Sequence, residues 1–210
     1  MKRSPARDQP IPDQHPILVG IARVFTDIVS PPIMFAALGV AAGLAGPSGS
    51  HGPLAAIVYA IFIAGLPLGL IIALHRAGRV SDLHMSGPGE RRLPYLIGFI
   101  SSAAAWAILS LMGASPEMRA LAICSTFGLG ALGLIDTHWL ISNHAASITT
   151  VALYAGYVFG APVGWSLSPL IVLVFAARLF LERHTVAQLL AGVAVGATPV
   201  LLLGWLGHLG

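Results

Sequence analysis

The sequence predicts an all-α fold, a polytopic bundle of six to seven transmembrane helices. Of its 210 residues, 56% are hydrophobic and only 9% are charged, whereas roughly 25% of the residues in a soluble domain are charged. Long uncharged runs recur along the chain, and the remaining polar residues are concentrated in short connecting pieces. This composition is typical of an integral membrane protein that crosses the bilayer several times.

Seven segments with at most one charged residue are candidate crossings, because a helix needs about 20 apolar residues to span the hydrocarbon core. Two of them lie in the run 145–177, which we expect Gly160, Pro162 and Gly164 to break into two helices. Pro67 is a candidate kink in the second span, and the 24 glycines predict close helix packing through small residues. The other candidates are 28–44, 53–74, 94–113, 118–135 and 185–207.

The N-terminal segment 1–16 is polar and rich in proline, which predicts that it is disordered. Residues 17–210 are then expected to form a single transmembrane domain. Its first part, 17–28, carries Arg23 and Asp27 among apolar residues and is predicted to lie in the membrane interface as an amphipathic helix.

Three polar pieces remain between the spans, at 76–92, 136–144 and 178–184. They follow the second, fourth and sixth predicted spans, so all three should emerge on the side of the membrane that holds the N-terminus. Ten of the 11 Lys and Arg residues fall on this side. Because short cytoplasmic loops carry such an excess, we expect a site on this side to face the cytoplasm.

The most specific pattern, Arg178-x5-His184-x3-Gln188, begins in the last polar piece and ends in the following predicted span. On a helix, His184 and Gln188 would share a face, and the amide oxygen could then reach the imidazole. A histidine beside an arginine suits phosphoryl transfer, because the ring can attack phosphorus while the guanidinium stabilises charge on the oxygens. The alternative is a basic loop that caps two helices at the lipid headgroups.

The first polar piece ends in Arg91 and Arg92, just before Pro94 begins a helix. Two guanidinium groups beside the N–H groups of a helix start are a candidate phosphate site. Anchoring of the protein to lipid headgroups is the alternative use of these arginines.

The second polar piece ends in Ser142, Asn143 and His144, directly before the run that begins at Ala145. Ser142 or Asn143 is predicted to cap this helix. His144 could donate a proton to a leaving oxygen, or it could serve only in the cap.

Two other ligand classes are disfavoured by the sequence. Asp136, His138, His144 and His184 could in principle hold a metal, but their spacing is not that of a helical ligand pair, and the arginines would repel a cation. Nucleic acid is disfavoured because the Lys and Arg residues form no basic tract.

The three polar pieces together resemble the motifs of the type 2 phosphatidic acid phosphatase superfamily, which read Lys-x6-Arg-Pro, Pro-Ser-Gly-His and Ser-Arg-x5-His-x3-Asp. The matches occur in the same order between residues 79 and 188, and the third is the most specific. This superfamily comprises helical membrane enzymes, and related soluble ones, that dephosphorylate lipid phosphates and polyprenyl diphosphates without a metal. The resemblance implies no cofactor, and the implied partners are such a substrate and membrane lipids, with a homo-oligomer left open.

The resemblance implies a role for each matched residue. His184 would form a phosphohistidine, His144 would protonate the leaving oxygen, and Gln188 would orient His184. The implied phosphate ligands are Arg178, Arg92, Arg91, Ser142 and Asn143.

The chain departs from the superfamily at several motif positions. It has no lysine in the first motif, Asn143 replaces glycine, Ala177 replaces serine, and Gln188 replaces the aspartate that orients the nucleophile. These departures favour one alternative, a non-catalytic relative that binds phospholipid headgroups or scaffolds a complex. A small-solute transporter is a second alternative, but the sequence lacks the charged mid-span residues expected of one. The better-known bacterial members face outward, so the cytoplasmic orientation expected here, in a prokaryotic cell membrane, departs from them.

Overall fold

A computed structural model describes residues 15–45, 51–81 and 89–207, and the regular structure within them is entirely helical. The predicted all-α fold is confirmed for this part of the chain. The predicted disorder of 1–16 concerns residues that lie almost wholly outside it, although Pro16 already belongs to the first helix. The helices are α1 (Pro16–Ile28), α2 (Pro31–Ala45), α3 (Gly52–Ala60), α4 (Leu66–Arg76), α5 (Arg92–Leu111), α6 (Pro116–Asp136), α7 (Asn143–Phe159), α8 (Ala161–Phe180) and α9 (Val186–Trp205).

Five helical segments in the described part of the chain are long and apolar enough to cross a membrane. They are α5, α6, α8, α9 and the segment Gly52–Arg76, in which α3 and α4 are continuous. The pair α1 and α2, bent by 41°, is a sixth candidate if it forms one span. Helix α7 has 17 residues and is not among these candidates, but 11 of them are buried, and it packs against α2, α8 and α9 at the centre of the bundle.

The predicted break in the long uncharged run is confirmed at Gly160. Its φ of 97° is a backbone conformation that favours glycine, and it separates α7 from α8. Pro162 follows in the first turn of α8, where a missing N–H removes no helical hydrogen bond. Pro67 marks a second irregularity, because the π-helical turn Ile61–Gly65 directly precedes the helix that contains it.

Glycines bring α7 and α9 into direct backbone contact. A Cβ atom at Gly196 would lie 2.1 Å from the carbonyl oxygen of Ala146, and one at Gly192 would lie 2.5 Å from that of Ser142. The Thr150 hydroxyl donates a hydrogen bond to the Gly196 carbonyl at 2.9 Å. The close packing predicted from the glycine content is therefore present here, and it holds the starts of α7 and α9 side by side.

Helix α1 is the amphipathic helix that the sequence predicts at 17–28. It packs against α8 and buries Val19 and Thr26, while most of its apolar residues stay exposed. The exposed apolar residues recur at helical spacing, which suits a helix lying in the membrane interface. They are Ile17, Leu18, Ile21, Val24 and Ile28.

Substitution of Gly196 by alanine should destabilise the fold, because the new Cβ would meet backbone atoms that no side-chain rotation can move. We expect Gly196→Ala to lower the free energy of unfolding by about 1–3 kcal/mol. Gly69→Ala is the matched control, since nothing lies within 4 Å of a Cβ in that helical position. It should be neutral or stabilising by up to about 1 kcal/mol. Thermal unfolding in detergent compares the two, and equal effects would contradict the close α7–α9 contact.

Candidate functional site

Five of the residues singled out in the three polar pieces line one cavity of about 710 Å³. Arg91 comes from the first piece, Asn143 and His144 from the second, and Arg178 and His184 from the third. The three pieces therefore meet at one cavity. The apolar part of the wall is formed by side chains of α2, α4, α6 and the π-helical turn, among them Ile33, Phe35, Ile63, Leu68, Ile71, Leu129 and Leu132.

The chain reverses direction between Arg178 and His184 through a Schellman turn. The Arg183 N–H donates to the Arg178 carbonyl at 3.0 Å, and the Glu182 N–H donates to the Leu179 carbonyl at 2.9 Å. Glu182 takes the left-handed conformation, with φ of 52°, that this turn requires. The expectation that His184 and Gln188 share a face of one helix is wrong, because His184 precedes Thr185, the N-cap of α9.

The turn brings the His184 ring against the Arg178 guanidinium, and both side chains are buried. The Arg178 Nη2 lies 3.4 Å from the His184 Nε2. Since a guanidinium can only donate, Nε2 is the acceptor, and the proton of the neutral ring is on Nδ1. The nitrogen with the free electron pair is thus the one beside the arginine.

The pKa of His184 lies well below its usual range. Burial is the main cause, because it disfavours the charged ring. The positive charges of Arg178 and Arg91, and the neighbouring His144, lower the pKa further, while Gln188 acts in the opposite direction. At neutral pH the ring is therefore uncharged and able to act as a nucleophile or base.

Gln188 is fully buried and forms a capping box at the start of α9. Its side-chain oxygen accepts the backbone N–H of Thr185 at 2.9 Å, and the Thr185 hydroxyl accepts the backbone N–H of Gln188 at 3.4 Å. No hydrogen bond of ordinary geometry joins Gln188 to His184, although the amide lies close enough to oppose the fall in the pKa of His184. Within the described part of the chain, the His184 Nδ1 and the Gln188 Nε2 are both buried without a hydrogen-bond partner. The tautomer of His184 is therefore fixed by Arg178 rather than by Gln188.

His144 is the second residue of α7 and is buried. Its Nε2 lies 3.2 Å from the carbonyl oxygen of Thr26 in α1. Because a carbonyl can only accept, this nitrogen carries a proton, and Nδ1 is the atom that can exchange a proton with a bound group.

The two adjacent arginines of the first piece take different positions. Arg91 is buried, lines the cavity and lies 3.8 Å from the Asp136 carboxylate at the end of α6. Arg92 is exposed and is not part of the cavity wall. Of these two arginines, both of which the sequence proposes as phosphate ligands, Arg91 is the one that lines the cavity. Residues 82–88 lie outside the part of the chain that the structure describes. They include the position at which the first motif of the superfamily has its lysine.

Ser142 and Asn143 also take different positions. Ser142 is the N-cap of α7, as predicted: its hydroxyl accepts the Ala145 N–H at 3.3 Å. Its own N–H donates to the Gln188 carbonyl at 3.3 Å, and it does not line the cavity. Asn143 does line the cavity, and its side-chain oxygen accepts a hydrogen bond from Ser147 at 3.2 Å.

A carboxylate and an imidazole of the cavity wall were not identified as site groups from the sequence. Asp27 comes from the end of α1 and is exposed at the cavity, and His75 comes from the last turn of α4. The His75 Nδ1 lies 3.3 Å from the carbonyl oxygen of Val80. The sequence could have indicated Asp27, because a carboxylate within a largely apolar stretch of a membrane protein often has a function.

The described residues contain no group of three or more His, Cys, Asp or Glu side chains placed to hold a metal ion. His138, which the sequence offers as a ligand, is exposed and contacts the Thr137 hydroxyl at 2.5 Å. The cavity wall contains two buried guanidinium groups, the neutral imidazole of His184 beside one of them, the imidazoles of His144 and His75, and the Asp27 carboxylate. These groups can bind an anion and transfer protons.

Comparisons with models of known protein families, with curated proteins and with solved structures give no match.

The depressed pKa of His184 predicts a pH dependence of stability. Below about pH 6.5, the ordinary pKa of histidine, the unfolded chain binds a proton that the folded chain does not, so the free energy of unfolding should fall as the pH falls. His184→Asn should make this dependence shallower. Thermal unfolding of both proteins in detergent across this range measures it, and identical slopes would contradict the burial of a neutral His184.

Proposed function

We propose that this protein is a membrane phosphatase that hydrolyses a lipid phosphate or polyprenyl diphosphate through a phosphohistidine at His184. One observation carries the proposal: three separate connections bring Arg91, His144, Arg178 and His184 to one cavity. The resemblance of the sequence to the type 2 phosphatidic acid phosphatase superfamily assigns chemistry to the same four residues. The motif resemblance and the shared cavity are independent observations, because sequence order alone does not determine which side chains meet.

In the first step, the electron pair of the His184 Nε2 attacks phosphorus. The bond between phosphorus and the leaving oxygen breaks, and its electron pair stays on that oxygen. The oxygen takes a proton from the Nδ1 of His144, whose ring enters this step as the imidazolium with both nitrogens protonated. Arg178 and Arg91 stabilise the charge on the other phosphoryl oxygens. The low pKa of His184 suits this step, because only the neutral ring has an electron pair to donate.

In the second step, water attacks the phosphohistidine. His144, now neutral, accepts a proton from the water as the new oxygen–phosphorus bond forms. The nitrogen–phosphorus bond breaks and its electron pair returns to His184, which restores the starting ring. The net reaction consumes one water and releases inorganic phosphate and the dephosphorylated lipid.

The apolar part of the cavity wall supports a lipid as the substrate. Side chains from α2, α4 and α6 give an acyl or prenyl chain an apolar path that begins beside the charged groups. A volume of about 710 Å³ holds a headgroup and the first part of a chain, since pockets of roughly 300–1,000 Å³ hold drug-sized molecules.

A non-catalytic lipid-phosphate binder is the second candidate, and one observation favours it. Gln188, which stands where the superfamily has an aspartate, gives the buried Nδ1 of His184 no hydrogen-bond partner. A carboxylate would stabilise the positive charge that develops on the ring during attack, and an amide does not. Phosphate release from purified protein separates the two candidates.

Loss of either cavity histidine should reduce turnover without loss of the fold. We expect His184→Asn to lower the rate of phosphate release by about three orders of magnitude or more, and His144→Asn to lower it by about two to four. His138→Asn is the control, because this histidine is exposed and outside the cavity wall. Wild-type rates in the two cavity variants would refute the mechanism, as would activity that a chelator abolishes and a divalent ion restores.

The adjacent arginines provide a second matched pair. Arg91→Ala should lower kcat/KM by about 10²- to 10³-fold, the typical effect of removing one group that stabilises transition-state charge. Arg92→Ala removes the same charge from an exposed position and should stay close to the wild type. Steady-state kinetics with a lipid phosphate in mixed micelles compares them. A larger loss in Arg92→Ala would show that the first motif acts through Arg92 instead.

A further inference from the structure

We propose that α1 binds the membrane surface through its exposed apolar face, and that this lipid contact positions the ring of His144. The role of His144 as proton donor rests on the proposed function. The inference itself is carried by three features of α1: the arrangement of its two faces, its length, and a backbone contact between its last turn and the His144 ring.

Opposite faces of α1 meet different surroundings. Val19 and Thr26 are buried and lie seven residues apart, which places both on the face that packs against the protein. Four apolar side chains, spaced by four, three and four residues, form a stripe along the opposite face. All four are more than half exposed: Ile17, Ile21, Val24 and Ile28.

Membrane lipid is the partner that this stripe fits. Helix α1 is followed after a short break by α2, and the two together are a candidate span, so the stripe lies beside the lipid-facing surface. The neighbouring helices also carry exposed apolar side chains, among them Ile33 of α2 and Leu173 of α8. A helix of this kind lies at the boundary between headgroups and acyl chains, with its apolar stripe toward the chains.

The length of α1 makes the lipid contact important for the helix itself. An isolated helix of fewer than about 12–15 residues is marginal in water, and most of its stability in a protein comes from burial of its apolar face. Helix α1 has 13 residues, of which the protein buries Val19 and Thr26. Lipid contact along the stripe therefore contributes to holding α1 helical and in place.

The last turn of α1 holds the His144 ring. The carbonyl oxygen of Thr26 lies 3.2 Å from the His144 Nε2. This carbonyl is one of the last four of α1, which have no N–H partner within the helix. The Thr26 hydroxyl donates to the carbonyls of Ala22 and Arg23, both at 3.0 Å, so this buried side chain is satisfied within α1. Thr26 is thus a positioning residue that acts through its backbone.

The lipid contact and the ring contact are linked because they belong to one short helix. Val24 of the stripe and Thr26 of the ring contact lie two residues apart, on opposite faces. If the stripe leaves the lipid, the Thr26 carbonyl moves and the His144 ring loses its orientation. The spans still keep the protein in the membrane with its substrate. The change should therefore lower kcat more than it raises KM.

Fluorophores attached to single cysteines measure the lipid contact. The native Cys124 is buried, so a label can be placed at Ile21→Cys on the stripe, or at Arg23→Cys, an exposed position away from the stripe. In phosphatidylcholine vesicles whose acyl chains carry bromine, the label at Ile21→Cys should be quenched strongly and the label at Arg23→Cys much less. Equal quenching would overturn the lipid contact. A cross-link between two copies through Ile21→Cys would overturn it too, by assigning the stripe to a second copy of the chain.

Serine substitutions on the stripe test the link to His144. Ile21→Ser combined with Val24→Ser weakens the lipid contact without removing a buried side chain. We expect kcat for a lipid phosphate in vesicles to fall about tenfold or more, since misplacing a reacting group by about 1 Å can cost about 10²-fold. The His144 ring should also react faster with a histidine-acylating reagent, measured by mass spectrometry of the peptides. His184, buried in the same cavity, should keep its reactivity, whereas general loosening of the fold would expose both rings.

Two control variants complete the experiment. Ile21→Leu combined with Val24→Leu keeps the stripe apolar and should retain the wild-type kcat and His144 reactivity. Leu111→Ser combined with Leu206→Ser removes two exposed apolar side chains from outside the cavity wall, and it should change neither value.

Each outcome has a defined meaning. A serine variant on the stripe whose His144 reactivity matches the wild type would overturn the coupling, whatever its kcat. An equal loss of kcat in the leucine variant would overturn it as well, because the apolar stripe is intact there. Failure of the wild type to release phosphate would overturn the proposed function, while the reactivity of His144 would still decide whether lipid contact by α1 holds the ring.

Discussion

The buried contact between Arg178 and His184 is the constraint on which the rest of the site depends. A guanidinium is always charged, so an imidazole held 3.4 Å from it in a buried position must stay neutral. Burial and the arginines together lower the pKa of His184, and Arg178 orients the ring so that Nε2 keeps its electron pair. One contact thus sets the charge, the tautomer and the direction of the group that we propose as the nucleophile.

The surrounding helices serve to hold this contact in place. The Schellman turn at Glu182 brings the two side chains together, and the capping box of Thr185 and Gln188 starts α9 directly after the histidine. Close packing at Gly196 then fixes α9 against α7, whose first turn carries His144. Helix α1 supplies the last support through the Thr26 carbonyl. Local turn chemistry and glycine packing therefore matter more to the site than the length of any span.

The sequence predicts some of these features well and misses others for physical reasons. Uncharged runs locate the membrane helices, and Gly160 and Ser142 act where turn and cap preferences predict. The sequence could not show that Arg91 faces the cavity while Arg92 is exposed. The two arginines are adjacent at the start of α5, and which of them points inward depends on how that helix is rotated about its axis. It also could not place Asp27 at the cavity, because that depends on tertiary contact between α1 and α7 across more than a hundred residues. The sequence predicts that the Gln188 side-chain oxygen bonds to the His184 ring, but this oxygen accepts the backbone N–H of Thr185 instead.

The account requires that the phosphoryl group be carried on His184, and this can be measured directly. Protein mixed with a lipid phosphate labelled in the phosphate group should be quenched in alkali, which preserves phosphohistidine, and digested for mapping of the label. We expect label on the peptide that contains His184, stable in alkali and lost in acid, with none in His184→Asn. Turnover of the lipid phosphate without any such labelled intermediate, or with label on another residue, would contradict the central claim.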